Sequence, residues 1–299
     1  MNKVIVLGSI NMDMVMETDC LPKVGETLLG ETIDYYVGGK GANQAVAAAR
    51  VGANVSLIGK IGEDTFGSKV YNHLKKEKVD VKAITSEKNI FTGVASIFKL
   101  KEDNAIVVLP GANMLLEDIE EALMEKLESK DIFLTQLEIP IATVKKGLKE
   151  AKKIGAVTIL NPAPYDEKVL EMLPYVDIIT PNETEFEGLL GFELADNSQF
   201  EKEMLKWSTQ NETQLIVTRG AQGISYTTEN QVVTIPAAKI KVVDTTGAGD
   251  TFNGIFAACL AEGISIAEAV ERSGKGASLS VTKLGAQTGM PTLAEIEAF

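Results

Sequence analysis

Val242-Val243-Asp244-Thr245-Thr246-Gly247-Ala248-Gly249-Asp250-Thr251-Phe252-Asn253-Gly254 is the most informative stretch of this 299-residue chain. A β-branched run ends in Asp-Thr-Thr, passes through Gly-Ala-Gly and opens a helix. Glycines there permit positive φ and let the backbone approach a ligand closely. The N–H groups of Gly247, Ala248, Gly249 and Asp250 would point outward from a helix N-terminus, where the partial positive charge favours an anion. A carboxylate in such a place repels phosphate unless it acts on an attacking hydroxyl. Asp250 could accept the hydroxyl proton while the amides stabilise charge on a transferring phosphoryl group. The competing reading is that Asp250 merely caps the helix.

The same alternation runs outward along the chain. Apolar, β-branched runs at 4–7, 54–58, 132–135, 157–160, 178–180, 215–218 and 224–226 read as strands. Helical patterns lie at 42–51, 65–77, 116–130, 141–153, 166–173, 183–190, 199–209 and 251–261, with a last pair at about 266–280 and from 293 onward. This predicts an α/β fold: one doubly wound, mostly parallel sheet flanked by helices. Segments 14–36 and 91–109 break the rhythm with alternating apolar and polar residues and no intervening helix. The clearest is a period-2 strand at 92–100, a turn around Glu102-Asp103-Asn104, and a return strand at 105–109. Both segments are expected to be antiparallel strands projecting as a small β lid that also serves as a dimer contact. Ordinary edge strands are the alternative. The expected division is therefore an α/β domain of 1–13, 37–90 and 110–299 and a lid of 14–36 and 91–109.

A second glycine cluster, Gly38-Gly39-Lys40-Gly41-Ala42-Asn43-Gln44-Ala45, also opens a helix. Lys40 and Asn43 offer donors to a polyhydroxylated ligand, although a purely structural turn has the same glycine pattern. The cluster does not follow a proper βαβ strand, and Leu7-Gly8-Ser9-Ile10-Asn11 also fails as a dinucleotide fingerprint; no G-x-x-x-x-G-K-[ST] occurs either. Polar islands follow the core strands: Asn11-Met12-Asp13, Gln136-Leu137-Glu138, Asn161-Pro162-Ala163-Pro164, Asn182-Glu183-Thr184-Glu185 and Thr218-Arg219-Gly220-Ala221-Gln222-Gly223. Ligands of open α/β sheets bind outside the carboxyl ends of strands, so these islands are expected to converge.

Composition narrows the classes further. Apolar residues make up 45% and charged residues 24%, enough to bury a core without disulfides. With 29 basic against 42 acidic residues the net charge is −13, which gives no general attraction for nucleic acid or an anionic membrane. Cys20 and Cys259 are too few for a disulfide framework and fit a reducing cytosol, and no apolar run approaches a membrane span. A cytoplasmic protein is expected. His73 is the only histidine, lies in a charged helical pattern, and reads as a solvated surface residue.

Taken in this order and spacing, the Gly38–Ala45 and Asp244–Asn253 motifs resemble those of the PfkB-type carbohydrate kinases. The resemblance covers essentially the whole chain, from Gly8-Ser9-Ile10-Asn11-Met12-Asp13 to Gly285-Ala286-Gln287. The lysine in the first motif is similar to that of members acting on ribose, since other sugar kinases of the family vary it. The resemblance implies ATP-dependent phosphorylation of D-ribose at its 5-hydroxyl. Kinases for deoxyribose, a nucleoside or a hexose, and a sugar-binding regulator without turnover, are the alternatives. It implies that Asn11, Asp13, Gly39, Lys40, Gly41, Asn43 and Glu138 hold the sugar, with Asp250 as base and Gly247, Ala248 and Gly249 completing the anion hole. Asn182, Thr218, Arg219, Gly220, Ala221, Gln222, Gly223 and Gly249 would line the ATP site, and Glu185 would position Mg2+ through water. An activating K+ is implied near Asp244, Thr246, Ser280, Lys283, Gly285 and Gly289. One departure stands out: Gly274 occupies the place where these kinases often set a histidine against adenine, so adenine must pack on other apolar groups.

Overall fold

The computed structural model describes residues 2–100 and 104–299. Its strands, in chain order, are β1 (Val4–Leu7), β2 (Asn11–Glu17), β3 (Thr32–Gly38), β4 (Val55–Gly62), β5 (Ile84–Glu87), β6 (Gly93–Lys99) and β7 (Asn104–Leu109). They continue as β8 (Ile132–Thr135), β9 (Val157–Leu160), β10 (Ile178–Ile179), β11 (Gln214–Thr218), β12 (Ile224–Thr227) and β13 (Val232–Ile235). The helices are α1 (Lys40–Arg50), α2 (Thr65–Lys76), α3 (Glu120–Lys126), α4 (Ile141–Ile154), α5 (Glu183–Leu190), α6 (Asn197–Asn211), α7 (Ala248–Ala261), α8 (Ile266–Ser280) and α9 (Leu293–Ala298).

Nine strands form one sheet in the order β13-β12-β11-β10-β9-β8-β1-β4-β5. From β11 to β5 all neighbours pair in parallel, and β12 and β13 close one edge antiparallel. Period 2 divides each central strand between two cores. Val4 and Val6 face α1, α7 and α8, whereas Ile5 and Leu7 join Phe133, Val144 and Leu148 on the α4 side. A parallel sheet covered on both faces reads as continuous apolar runs, which is why these strands were legible. The expected doubly wound sheet is what the chain forms.

A second sheet of four strands, β3-β2-β6-β7, carries the lid segments. The predicted hairpin is present as β6 paired antiparallel with β7, although the turn expected at Glu102 and Asp103 lies outside the described residues. The two segments meet through β2 and β6, which run parallel rather than antiparallel as expected. β2 begins at Asn11 and β3 ends at Gly38, so Asn11 and Asp13 stand on this small sheet next to the glycine cluster.

Val242 and Val243 are about half exposed (55% and 54%), and the amides of Val243 and Asp244 bond the Val281 carbonyl just after α8. Two helical expectations change. The helix expected over 116–130 shrinks to α3, and the one at 166–173 becomes two 3-10 turns, Glu167–Glu171 and Leu173–Tyr175, with Pro174 unable to continue a helix. No helix among the described residues is long and apolar enough to cross a membrane.

Candidate active site

Two helix N-termini meet at the carboxyl end of the large sheet. α1 starts directly after Gly39, whose φ of 87° a side chain would strain; a Cβ there would also lie 2.8 Å from the Asn11 amide nitrogen. At Gly41 a Cβ would lie 2.6 Å from the Gly8 carbonyl carbon, so the first turn of α1 can rest on the β1–β2 connection only because both residues are glycine. α7 starts after Gly247, at φ 77°, and packs along the alanine-rich α1.

Asp250 is buried in the first turn of α7. Its Oδ2 accepts a hydrogen bond from Asn43 Nδ2 (2.9 Å) and its Oδ1 one from Gln44 Nε2 (3.0 Å). Asp250 therefore does not act as an N-cap, a position held by Gly247. Burial pushes its carboxyl above the usual range, against the Lys40 charge and the Asn43 and Gln44 amides, with Glu138 adding to the rise. Desolvation is thus the largest effect on this carboxyl, above the hydrogen bonds that favour its charged form. A raised carboxyl is better matched to proton abstraction near neutral pH.

Lys40 lies among Asp250, Glu138 and Glu185: burial alone would lower its pKa, but the three carboxylates raise it, so the ammonium persists. Glu138 Oε2 accepts from Ser9 Oγ (2.6 Å) and from the Lys40 amide (3.1 Å), tying the β8 end to the glycine cluster. Asn11 Oδ1 accepts from Asn113 Nδ2 (2.8 Å), which holds the start of β2. The Asp13 carboxylate lies directly under the Gly38 α-carbon, where no side chain would fit. Its pKa is pushed up to about 7 by burial, then by Glu138 and Asp250.

Beside this group is a cavity of about 250 Å3 lined by Lys40, Asn161, Asn182, Glu185, Thr218, Gly247, Ala248, Gly249 and Asp250. Three of the five sequence islands, those beginning at Asn161, Asn182 and Thr218, therefore converge on it, joined by Thr180 and Asn253, which hydrogen-bond each other (2.6 Å). A wider concavity of about 750 Å3 between β4 and α2 shares no lining residue with this cavity; its Asp64 is already engaged by the Gly67 and Thr92 amides.

Several expected residues have narrower parts than anticipated. The Ala248 N–H bonds Thr245 O (3.2 Å), so that amide is engaged within the turn rather than turned to an anion. Asn182 and Glu185 form the capping box of α5, with Asn182 Oδ1 accepting from the Glu185 amide and Glu185 Oε2 from the Asn182 amide, both at 2.8 Å. The Arg219 guanidinium is buried over Phe200 (3.9 Å) and paired with Glu183 (3.0 Å), away from the cavity. Gly220, Ala221 and Gln222 form a 3-10 turn ending at Gly223. At Gly274 a Cβ would stand 3.0 Å from Ile224 Cδ1, which puts an apolar group at the expected adenine position.

Asp244 binds the loop around it: Oδ1 accepts from the Thr246 amide (2.9 Å) and hydroxyl (2.6 Å), and Oδ2 from the Gly285 amide (2.8 Å). Ser280 O lies against Gly289, and Ala286 packs on Gly247. The Lys283 charge helps lower the Glu295 carboxyl, after the larger effect of the Thr292 hydrogen bonds.

Gln44, Ser9, Asn113 and Gln287 were not singled out from the sequence. Gln44 had a signal, because a fully buried amide among alanines needs a partner. His73 also differs from expectation: its Nε2 is 2.8 Å from Gln287 Oε1, so it is bonded inward, not merely solvated.

An α/β fold with a carboxylate, a lysine and a glycine turn around one cavity at the strand ends defines a phosphotransferase acting on an alcohol. The chain belongs to the pfkB family of carbohydrate kinases, whose family model matches residues 1–293. It is 42% identical over 300 residues to a ribokinase of Lactococcus lactis, covering 100% of this chain and 97% of that one. It is 41% identical to a ribokinase of Bacillus subtilis, with 99% of each chain covered. Among solved structures it superposes on Arabidopsis thaliana ribokinase complexed with ribose and ATP with a TM-score of 0.89 at 30% identity, covering 99% of this chain and 98% of that one.

Proposed function

We propose that this chain transfers the γ-phosphoryl group of ATP to the 5-hydroxyl of D-ribose. The observation that carries the reading is Asp250, with an amide donor on each carboxylate oxygen, standing between the phosphate-sized cavity and the Asn11–Asp13 and Gly38–Asn43 group. Full-length similarity to ribokinases supports ribose as the sugar. Asp250 takes the proton as the hydroxyl oxygen attacks in line. Lys40 and the amides of Gly249 and Asp250 meet the charge on the transferring group, so the protein supplies position and electrostatics more than covalent chemistry. Asn11, Asp13, Gly39, Gly41, Asn43 and Glu138 are the sugar side of the site; Thr218 and Gly220–Gly223 with Gly274 are the nucleotide side.

Two ions belong to this reading. Asn182 and Glu185 line the cavity as an amide and a carboxylate already oriented by their capping box, which suits Mg2+ held on ATP through water. Asp244 and the carbonyls of Thr246, Ser280, Lys283, Gly285 and Gly289 are an all-oxygen donor set suited to a hard cation such as K+. Such an ion would balance the Asp244 charge and stiffen the loop that Ala286 presses against Gly247. The small sheet is proposed as the contact of a homodimer. Val15, Ile97, Ile106 and Val108 share the face that carries Asp13, and Ile106 and Val108 are about half exposed (50% and 48%). The exposed thiol of Cys20 fits a cytoplasmic location.

The deciding experiment is ADP release with Mg-ATP and ribose, deoxyribose, fructose or adenosine, with and without K+, on the wild type and Asp250→Ala. Ribose preference, K+ stimulation and a loss of several orders of magnitude in Asp250→Ala are expected. Preference for another sugar discards ribose but keeps the phosphoryl mechanism; Asp250→Ala turning over like the wild type discards the base.

A further inference from the structure

Both donors to Asp250 are side-chain amides, and an amide can be turned end for end. The residues one step further out decide which end faces the carboxylate. Asn43 gives Nδ2 to Asp250, and its Oδ1 accepts from Gln287 Nε2 at 2.9 Å. Gln287 Oε1 in turn faces His73 Nε2 at 2.8 Å. An ionised carboxylate only accepts, so Asn43 must turn its NH2 toward Asp250 and its carbonyl toward Gln287. Gln287 must then present its NH2 to Asn43 and its carbonyl to His73, which carries hydrogen on Nε2. The reversed Asn43 amide would set a carbonyl dipole against the buried carboxylate, and burial makes that repulsion costly.

Gln287 is itself firmly placed. Its side chain is buried, and its backbone carbonyl accepts from Arg50 Nη1. Arg50 is held by both oxygens of Glu77, at 2.8 Å each, the residue that caps the end of the helix carrying His73. The preceding residues reach the other half of the site: the Gly285 amide donates to Asp244, and Ala286 packs on Gly247. One three-residue segment thus touches the cation loop, the glycine turn and, through Asn43, the base.

We propose that Gln287 is a positioning residue for phosphoryl transfer, holding the Asn43 amide in the one orientation that donates to Asp250. The proposal rests on Asp250 being the base. If Gln287 were only a tie between segments, its loss would lower stability and leave the folded enzyme's turnover alone.

The test uses Gln287→Met, which keeps the length but removes the donor, and Gln287→Glu, which keeps the acceptor for His73 but offers Asn43 no hydrogen when ionised. Each is measured for kcat, ribose KM and melting midpoint, alone and combined with Asn43→Ala. A misplaced base should reduce kcat by roughly 10- to 100-fold, with a smaller change in KM. Because Gln287 acts through Asn43, neither substitution should reduce kcat further in the Asn43→Ala background. Retention of kcat within about twofold in both single variants, or losses that multiply in the double variants, overturns the proposal. If Gln287→Met does not fold, Gln287→Glu decides by the same criteria. An active Asp250→Ala removes the underlying base assignment; an inactive Asp250→Ala beside unimpaired Gln287 variants removes only the positioning role.

Discussion

Gly254 lies one turn beyond Asp250 on α7, with the backbone of α1 against its α-carbon, and Gly254→Ala should disable the enzyme from a position that touches no substrate. The added Cβ would stand 2.7 Å from Ala47 Cβ and 3.0 Å from the Ala48 nitrogen, and closer still to the Gln44 carbonyl oxygen. Carbon atoms settle at about 3.5–4.0 Å, so the two helices must part by roughly 1 Å. The bonds from Asn43 and Gln44 to Asp250, 2.9 and 3.0 Å long, cross that same interface. Opened to about 4 Å they cease to be hydrogen bonds. Overpacking of this kind costs about 1–3 kcal/mol, which lowers the melting midpoint by roughly 2–5 °C in a chain of this size. Misplacing the base by about 1 Å should cost on the order of 100-fold in kcat. The assay is steady-state ADP release with ribose and Mg-ATP well below the variant's melting midpoint, so that unfolded protein does not imitate the loss. A Gly254→Ala enzyme with wild-type kcat would refute the coupling of helix spacing to the base, whatever its melting point.

Asp13 should make stability depend on pH in an unusual direction. Its carboxyl ionises near 3.8 when unfolded but only at about 7 when folded. Between these values the native state binds more protons, so stability falls as pH rises. A rise of about three pKa units corresponds to roughly 4 kcal/mol. Melting curves of Asp13→Asn from pH 5 to 8 should show a shallower decline than the wild type, and ribose KM of the wild type should fall over the same range as the carboxylate forms. Parallel melting profiles would remove Asp13 as the source. Sedimentation at micromolar concentration should show a dimer that Val108→Lys or Ile106→Lys converts to a monomer; a monomeric wild type counts against the lid contact.

The parallel strands were readable because burial on both faces demands uninterrupted apolar residues, and the helices between them because one face must be apolar. The glycine clusters were readable because only glycine fits where Gly41 meets Gly8 and where Gly39 and Gly247 take positive φ. The β-branched run at Val242 and Val243 joins no strand, because Val281 just after α8 supplies the bonds to it. Asn182 and Glu185 form a capping box through purely local bonds, a role that the Asn-x-x-Glu spacing carries by itself.

By itself, then, the sequence determined what is set locally: the alternation that makes a doubly wound sheet, the turns that only glycine can make, and the aspartate among them. Tertiary structure alone decided what those residues face. Asn43 and Asp250 are more than two hundred positions apart, as are Asn43 and Gln287, and nothing in their flanking residues states that they meet. Burial, which raises the Asp250 and Asp13 carboxyls, is likewise a property of everything packed around a group and not of the residue itself.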